Sequence, residues 1–270
     1  MVVKKIIKVP RVNGLGKKGS GETPNLLLKE LENNYEGFSG LDLEEIHIDN
    51  NDVEVSEKLI YQNSLSEFEN LGSGDGIVFV GGDHSISYPL VNAFSDVYGV
   101  DDGFLIVFDA HADCDIATKN PTHEEWLRGV IEKGFKPENV VLIGVRKMWG
   151  VEKKFLRAMG VRYFEANRFV GFDSLEGVGD AVTELGMGKK IYISIDIDVL
   201  DPGFAPGVSY PEPGGLDFKE LNYLLNRIFH LNVKALDIVE IVPEKDKKYD
   251  FRTLNAGVNV LKTFIERNKN

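Results

Sequence analysis

The chain of 270 residues contains a single cysteine, Cys114, so no disulfide can form within it and we expect a reducing compartment. No apolar run approaches the roughly 18 residues that a membrane span requires, and the first residues lack the apolar core of a signal peptide. Basic residues are the minority, 31 Lys and Arg against 43 Asp and Glu. The resulting net charge of −12 argues against nucleic-acid or anionic-membrane binding. We therefore predict a cytoplasmic protein that attracts cations.

The apolar residues follow a pattern that alternates between strands and helices. Continuous β-branched runs predict eight strands, at 4–10, 43–49, 76–81, 103–109, 139–145, 161–166, 190–198 and 233–241. Helical spacing predicts helices at 55–71, 85–99, 123–134, 174–186, 217–230 and 252–268. Strands that are apolar on both faces are typical of covered parallel sheets, so we expect an α/β fold in three layers, with a mostly parallel sheet between helices. No linker or repeat marks a boundary, so one domain is predicted over 1–270.

Acidic residues and histidines cluster where three of the predicted strands end, in GGDHS (81–85), DAHAD (109–113) and DID (196–198). Ligands bind beyond the carboxyl ends of strands in such sheets, and residues two apart on an extended segment face the same side. A lone DxD is most often a helix cap or a turn, so the prediction depends on the repetition at three strand ends. Buried carboxylates need a neutralising cation, and carboxylate with imidazole suits Mn²⁺ or a similar divalent ion. The candidate ligands are His84, Asp109, His111, Asp113, Asp196 and Asp198.

These segments, together with SIDIDVLDPGFAPG (194–207), PEPGGL (211–216) and DIVEIVP (237–243), resemble the signatures of the arginase/agmatinase ureohydrolases. They occur in the family's order and span 81–243, about 60% of the chain. The resemblance implies an arginase-like α/β domain that holds two Mn²⁺ ions and hydrolyses a guanidinium or amidine group. It also implies a homo-oligomer, a trimer or a hexamer.

Carried over by position, the resemblance assigns one ion to His84, Asp109, Asp113 and Asp196, and the other to His111, Asp109, Asp196 and Asp198. A hydroxide between the two ions attacks the guanidinium carbon in that family. Asp113 then matches the carboxylate that receives its proton, His123 matches a proton shuttle, and Glu240 matches the carboxylate that pairs with the substrate guanidinium.

Several positions depart from the family's pattern, and three of them concern the substrate pocket most directly. Glu124 follows His123 where glycine is usual, and Tyr210 stands where a smaller threonine is common near the guanidinium, so we expect a narrower pocket. Asp115 stands where arginases have asparagine and formimidoylglutamases tend to have arginine. A carboxylate at this position repels a substrate carboxylate and attracts an amine, which favours agmatine. The alternative interpretation is that Asp115 caps the following loop.

Other functions remain open at this stage. Arginase, guanidinobutyrase or formimidoylglutamase activity would use the same ligands, and Tyr210 and Glu124 are compatible with a metal-binding homologue that lacks catalytic activity. A literal GxGxxG at 14–19 suggests a dinucleotide site, but the acidic residue expected ~20 positions later is missing. We interpret that segment as a flexible Gly/Lys loop, after which Pro24 opens a further helix.

Overall fold

The computed structural model describes residues 2–13, 19–169 and 172–267. Eight strands form one sheet in the order β2-β1-β3-β8-β7-β4-β5-β6, and all of the described strand pairs are parallel. The strands are β1 Val2–Val9, β2 Leu43–Glu45, β3 Asp75–Gly81, β4 Gly103–Phe108, β5 Val140–Val145, β6 Arg162–Glu165, β7 Lys190–Asp196 and β8 Val233–Val239. The predicted α/β class and the predicted mostly parallel sheet are therefore confirmed.

Helices cover both faces of the sheet in the described ranges. They are α1 Thr23–Asn34, α2 Val53–Glu69, α3 Ser87–Tyr98, α4 Trp126–Glu132, α5 Gly150–Met159, α6 Phe172–Gly186, α7 Phe218–Ile228, α8 Pro243–Asp246 and α9 Arg252–Arg267. Consecutive residues of a strand enter opposite layers. In β4, Ile106 packs in the cluster that includes Leu27 of α1 and Leu261 of α9, whereas Leu105 packs with Ile60 of α2 and Leu90 of α3. Two apolar layers therefore enclose the sheet.

The structure differs from the sequence prediction at several boundaries. The second strand is only three residues long, and the chain then continues to a turn at Asp49 and to the N-cap Asp52 of α2. The fourth helix begins at Trp126 rather than at 123, since Glu125 has the non-helical angles φ −136° and ψ 9°. Helices α5 and α8 were not among those predicted. The GxGxxG at 14–19 lies, except for Gly19, outside the described residues, and the single domain over 1–270 stays a prediction.

The order of the strands determines which loops meet. The four central neighbours are β3, β8, β7 and β4, and each is followed by one of the motifs singled out in the sequence. Because all four run in the same direction, their carboxyl ends lie side by side at one edge of the sheet. Among the described residues, no helix is long and apolar enough to cross a membrane.

Candidate metal centre and its cavity

The six candidate ligands converge at this edge of the sheet in two overlapping groups. In the first group, Nδ1 of His84 lies 3.1 Å from Oδ2 of Asp109 and 3.0 Å from Oδ2 of Asp113. Oδ2 of Asp196 is 3.5 Å from the same nitrogen. In the second group, Nδ1 of His111 lies 2.9 Å from Oδ2 of Asp198 and 3.5 Å from Oδ1 of Asp109. Asp109 thus belongs to both groups.

Backbone N–H groups orient three of these carboxylates. Oδ1 of Asp109 accepts a hydrogen bond from the His111 amide at 2.6 Å, and Oδ1 of Asp196 accepts one from the Asp198 amide at 2.7 Å. Oδ1 of Asp198 accepts one from the Ala110 amide at 3.0 Å, which joins the loop after β4 to the loop after β7. One oxygen of each carboxylate is therefore fixed, and the other oxygen of each is directed at a histidine.

Burial and mutual repulsion disturb the acid–base equilibria of these groups. Burial raises the pKa of Asp113 to about 7, with a further contribution from the charge of Asp109. Burial and the charges of Asp198 and Asp109 raise the pKa of Asp196 well above its usual value. Burial alone would lower the pKa of His84, but contacts with three carboxylates outweigh it and raise this pKa. So dense a set of buried charges is costly unless cations or protons neutralise it.

The donor atoms fit divalent metal ions. Nδ1 of His84 and Oδ2 of Asp109 are buried, and neither has a hydrogen-bond partner among the described residues. These two atoms are 3.1 Å apart, close enough for both to bind one cation. A carboxylate-rich set with one imidazole in each group suits Mn²⁺ or a similar ion rather than a thiolate zinc site. Cys114 is buried, and burial raises the pKa of its thiol well above the usual value.

Glu240 lies beside this centre at the end of β8. It is 6% exposed, and its Oε1 accepts a hydrogen bond from the His84 amide at 2.9 Å. Burial and the charge of Asp83 raise the pKa of Glu240 to about 8. Glu240 and Asp113 both have positive φ, 66° and 49° respectively, although neither is a glycine. Backbone strain of this kind is concentrated at functional sites, where the surroundings hold it in place.

A cavity of about 140 Å³ opens onto the candidate ligands. The predicted catalytic and substrate residues Asp115, His123, Tyr210 and Glu240 all line it. The ring of Tyr210 stacks on that of His123, with centroids 5.7 Å apart and planes 24° apart. The same ring meets His111 edge-on at 6.2 Å. Tyr210 is therefore part of the cavity wall, and the narrower pocket expected from its size stays a prediction.

Apart from His111 and Tyr210, the cavity-lining residues that are not fully buried are mostly acidic, and we call them the rim. The rim comprises Asp115, Glu124, Lys147, Trp149 and Glu212. Oδ1 of Asp115 accepts a hydrogen bond from the Ile116 amide at 2.7 Å, so this side chain caps its loop and also lines the cavity. Lys147 is the one cation of the rim, and its Nζ lies 5.5 Å from the ring centroid of Trp149.

Several residues that complete the site were not identified from the sequence. Nε2 of His84 is 2.8 Å from the hydroxyl of Ser194, which donates to buried Asp237 at 2.7 Å. The indole of Trp126 donates to Oδ2 of Asp113 at 2.9 Å. Ser194 and Asp237 could have been identified, since each is a polar residue within an apolar strand. Nothing in the sequence pointed to Trp126, because an aromatic residue at the start of a helix usually belongs to the core.

The model of the Arginase family matches residues 6–265. The chain belongs to the arginase family. A relative in Thermus thermophilus, N(1)-aminopropylagmatine ureohydrolase, is 34% identical over 194 residues, which are 71% of this chain and 62% of that protein. Arginase 1, mitochondrial, of Oryza sativa subsp. indica is 36% identical over 173 residues, which are 62% of this chain and 48% of that protein.

The fold of this arginase-family chain is similar to that of solved structures. The proclavaminate amidino hydrolase from Streptomyces clavuligerus superposes with a TM-score of 0.86 at 23% identity, covering 98% of this chain and 91% of that one. At this identity, the likeness concerns the fold alone. The alignments with the two relatives span about half to three fifths of their lengths, 48% and 62%.

Proposed function

We propose that this arginase-family chain is a binuclear Mn²⁺ hydrolase that cleaves a guanidino compound, preferably agmatine, to urea and an amine. The observation that carries the proposal is the pair of ligand groups that share Asp109 beneath a cavity that also contains Glu240. Two relatives whose names specify an ureohydrolase and an arginase support the reaction class. Paired divalent ions, when bound, activate a water molecule and stabilise the charge that develops on the reacting group.

The residues of the chain then bind the substrate and move the proton. Glu240 faces the cavity with a carboxylate that suits a guanidinium, and its bond from the His84 amide fixes its direction. Asp113 is placed to accept the proton released by the water, since it lines the cavity beside the ligand groups. His123, also on the cavity wall, is the candidate that carries the proton between the cavity and solvent.

The rim supports a cationic tail on the substrate. Asp115, Glu124 and Glu212 supply three carboxylates against the single ammonium of Lys147. The whole chain carries a net charge of −12, which adds an attractive field for a cation. Agmatine has a guanidinium at one end and an ammonium at the other, so it matches both the Glu240 end of the cavity and the rim.

A second candidate substrate is a guanidino compound with a carboxylate, such as arginine or guanidinobutyrate. Lys147 favours this candidate, because its Nζ lies at the rim and carries the opposite charge to the neighbouring acids. The two candidates differ in which rim charge the substrate tail meets. Replacing Asp115 and Lys147 by neutral residues, one at a time, therefore distinguishes the two candidate substrates.

The test is urea release by the Mn²⁺-loaded protein with agmatine, arginine, guanidinobutyrate and guanidinopropionate. We expect the highest kcat/KM with agmatine, and we expect Asp115→Asn to reduce its preference over arginine about fivefold, for the loss of ~1 kcal/mol between charges in a partly solvated rim. Asp102→Asn is the matched control, because this exposed aspartate precedes β4 at the opposite edge of the sheet.

Each alternative has its own outcome in this experiment. A preference for arginine that is lost in Lys147→Gln would establish the second candidate. Release of formamide from a formimino substrate added to this panel, with no urea from the guanidino compounds, would indicate formimidoylglutamase chemistry. No turnover of any of these substrates by protein that binds two ions per chain would contradict the catalytic proposal and favour the metal-binding homologue.

Assembly and partners complete the proposal. We propose a homo-oligomer, a trimer or a hexamer as the family resemblance implies, and a single domain over 1–270. The acidic net charge supports small cationic substrates as ligands rather than nucleic acid. Light scattering coupled to size-exclusion chromatography measures the oligomeric state directly, and a monomer would contradict this part of the proposal.

A further inference from the structure

Trp126, the first residue of α4, contacts two of the candidate ligands from behind the metal centre. Its side chain is fully buried and is among the largest with less than 2% exposure. Its ring centroid lies 4.6 Å from that of His84, with the planes tilted by 38°. Its Nε1 donates a hydrogen bond to Oδ2 of Asp113 at 2.9 Å. One side chain therefore supports the imidazole and the carboxylate that approach each other most closely in the first ligand group.

The start of α4 also holds the backbone of Asp113. The amides of Leu127 and Arg128 donate to the Asp113 carbonyl at 3.2 and 3.4 Å. Asp113 needs such support, because its φ of 49° is left-handed, a conformation that is strained in a residue other than glycine. The indole N–H adds a hydrogen bond to the carboxylate itself, on the same oxygen that lies 3.0 Å from His84, and an indole can only donate.

We propose that Trp126 is a positioning residue for one of the two metal ions, the ion held by His84 and Asp113. The inference rests on the proposed function, since it concerns the same metal centre. Among the described residues, no hydrogen bond or ring contact joins Trp126 to His111 or Asp198. The ion held by that second group is therefore the internal reference. Removing the indole N–H lowers the affinity for the first ion and leaves the affinity for the second ion nearly unchanged.

The test measures Mn²⁺ binding rather than turnover. In Trp126→Phe, a ring remains against His84 but the donor to Asp113 is lost. We expect calorimetric titration to show one Mn²⁺ bound 10–100-fold more weakly than in the unsubstituted protein, the usual effect of losing a partner of a metal ligand. We expect the affinity for the second Mn²⁺ to change less than threefold. When Mn²⁺ is limiting, the electron paramagnetic resonance spectrum should accordingly change from that of a coupled ion pair to that of isolated Mn²⁺.

A second variant separates the missing bond from a packing defect. 3-Benzothienylalanine at position 126 keeps the bicyclic shape and replaces the N–H with sulfur, and it should reproduce the selective loss. The chain has only two tryptophans, and Trp149 is 65% exposed. In Trp149→Phe, fluorescence therefore reports on Trp126 alone, and we expect quenching to follow the occupancy of the His84 and Asp113 ion.

Three results would overturn the inference. They are unchanged affinities in both position-126 variants, equal weakening of both ions, and Trp126 fluorescence that does not respond while two Mn²⁺ ions bind. Failure of the unsubstituted protein to bind Mn²⁺ would contradict the proposed function, and the inference with it. Binding of two ions with no selective loss would contradict the inference alone.

Discussion

A buried hydroxyl network behind His84 offers a sharp test of how the scaffold tunes the metal centre. The carboxylate of Asp237 is fully buried and accepts hydrogen bonds from Ser87 at 2.8 Å, Tyr192 at 2.7 Å and Ser194 at 2.7 Å. The single proton of the Ser194 hydroxyl goes to Asp237, so its oxygen accepts from Nε2–H of His84. This leaves Nδ1 of His84 as the electron-pair donor to an ion.

Ser194→Ala and Ser87→Ala form a matched pair. Both serines are fully buried, both donate to Asp237, and the same atom is removed from each, but in the described structure only Ser194 bonds His84. Hydrogen bonds to a charged group are worth about 1.5–3 kcal/mol, so we expect the metal-free protein to lose ~2 kcal/mol of unfolding free energy in Ser87→Ala. We expect Ser194→Ala to lose ~3 kcal/mol of unfolding free energy, because that substitution also removes the hydrogen bond to His84.

The two variants should differ much more in metal binding than in stability. We expect Ser194→Ala to bind the His84 ion 10–100-fold more weakly, since the imidazole loses the partner that fixes its orientation and tautomer. The affinity of Ser87→Ala for the same ion should stay within threefold of that of the unsubstituted protein. Chemical unfolding in EDTA measures the first effect and Mn²⁺ calorimetry the second. Equal loss of affinity in both variants, or none in either, would refute this reasoning.

Two further predictions concern the cavity. Glu240→Gln should lower kcat/KM about 100-fold, because it removes ~2.7 kcal/mol of charge-assisted binding to the guanidinium, while its amide oxygen still accepts from the His84 amide. Bound Mn²⁺ should stay at the unsubstituted level, and a proportional loss of metal would contradict this assignment. Tyr210→Thr should relax discrimination against guanidino compounds with longer tails about tenfold, because it removes the ring stacked on His123. An unchanged ratio of kcat/KM between agmatine and a longer homologue would show that Tyr210 does not limit the pocket.

Much of the fold was predictable because its signals are local. The run IVFV in β3 and the run LIVF in β4 are apolar on both faces, and the structure buries them completely. Histidines and carboxylates at the ends of such strands predicted a metal centre. The parallel arrangement supplied the remaining step, since it brings the ends of β3, β4 and β7 to one edge.

The residues behind the ligands could not be predicted in the same way, because their roles depend on contacts between distant segments. Ser87 and Asp237 are 150 residues apart in sequence, and the register of β7 against β8 brings Ser194 beside Asp237. Trp126 contacts Asp113 at the start of α4, which lies three residues later than predicted and places the first amides of the helix at the Asp113 carbonyl. A sequence pattern specifies the period of a strand or helix, but not which side chains meet across elements.

The most direct test of the binuclear hydrolase proposal combines metal content and urea release in one titration. Metal-free protein is titrated with Mn²⁺, and bound metal and urea release from agmatine are measured in the same samples. The proposal predicts that binding saturates at two ions per chain and that urea release follows the doubly loaded form. Saturation at one ion, or full occupancy by two ions with no urea released from any guanidino substrate, would contradict it.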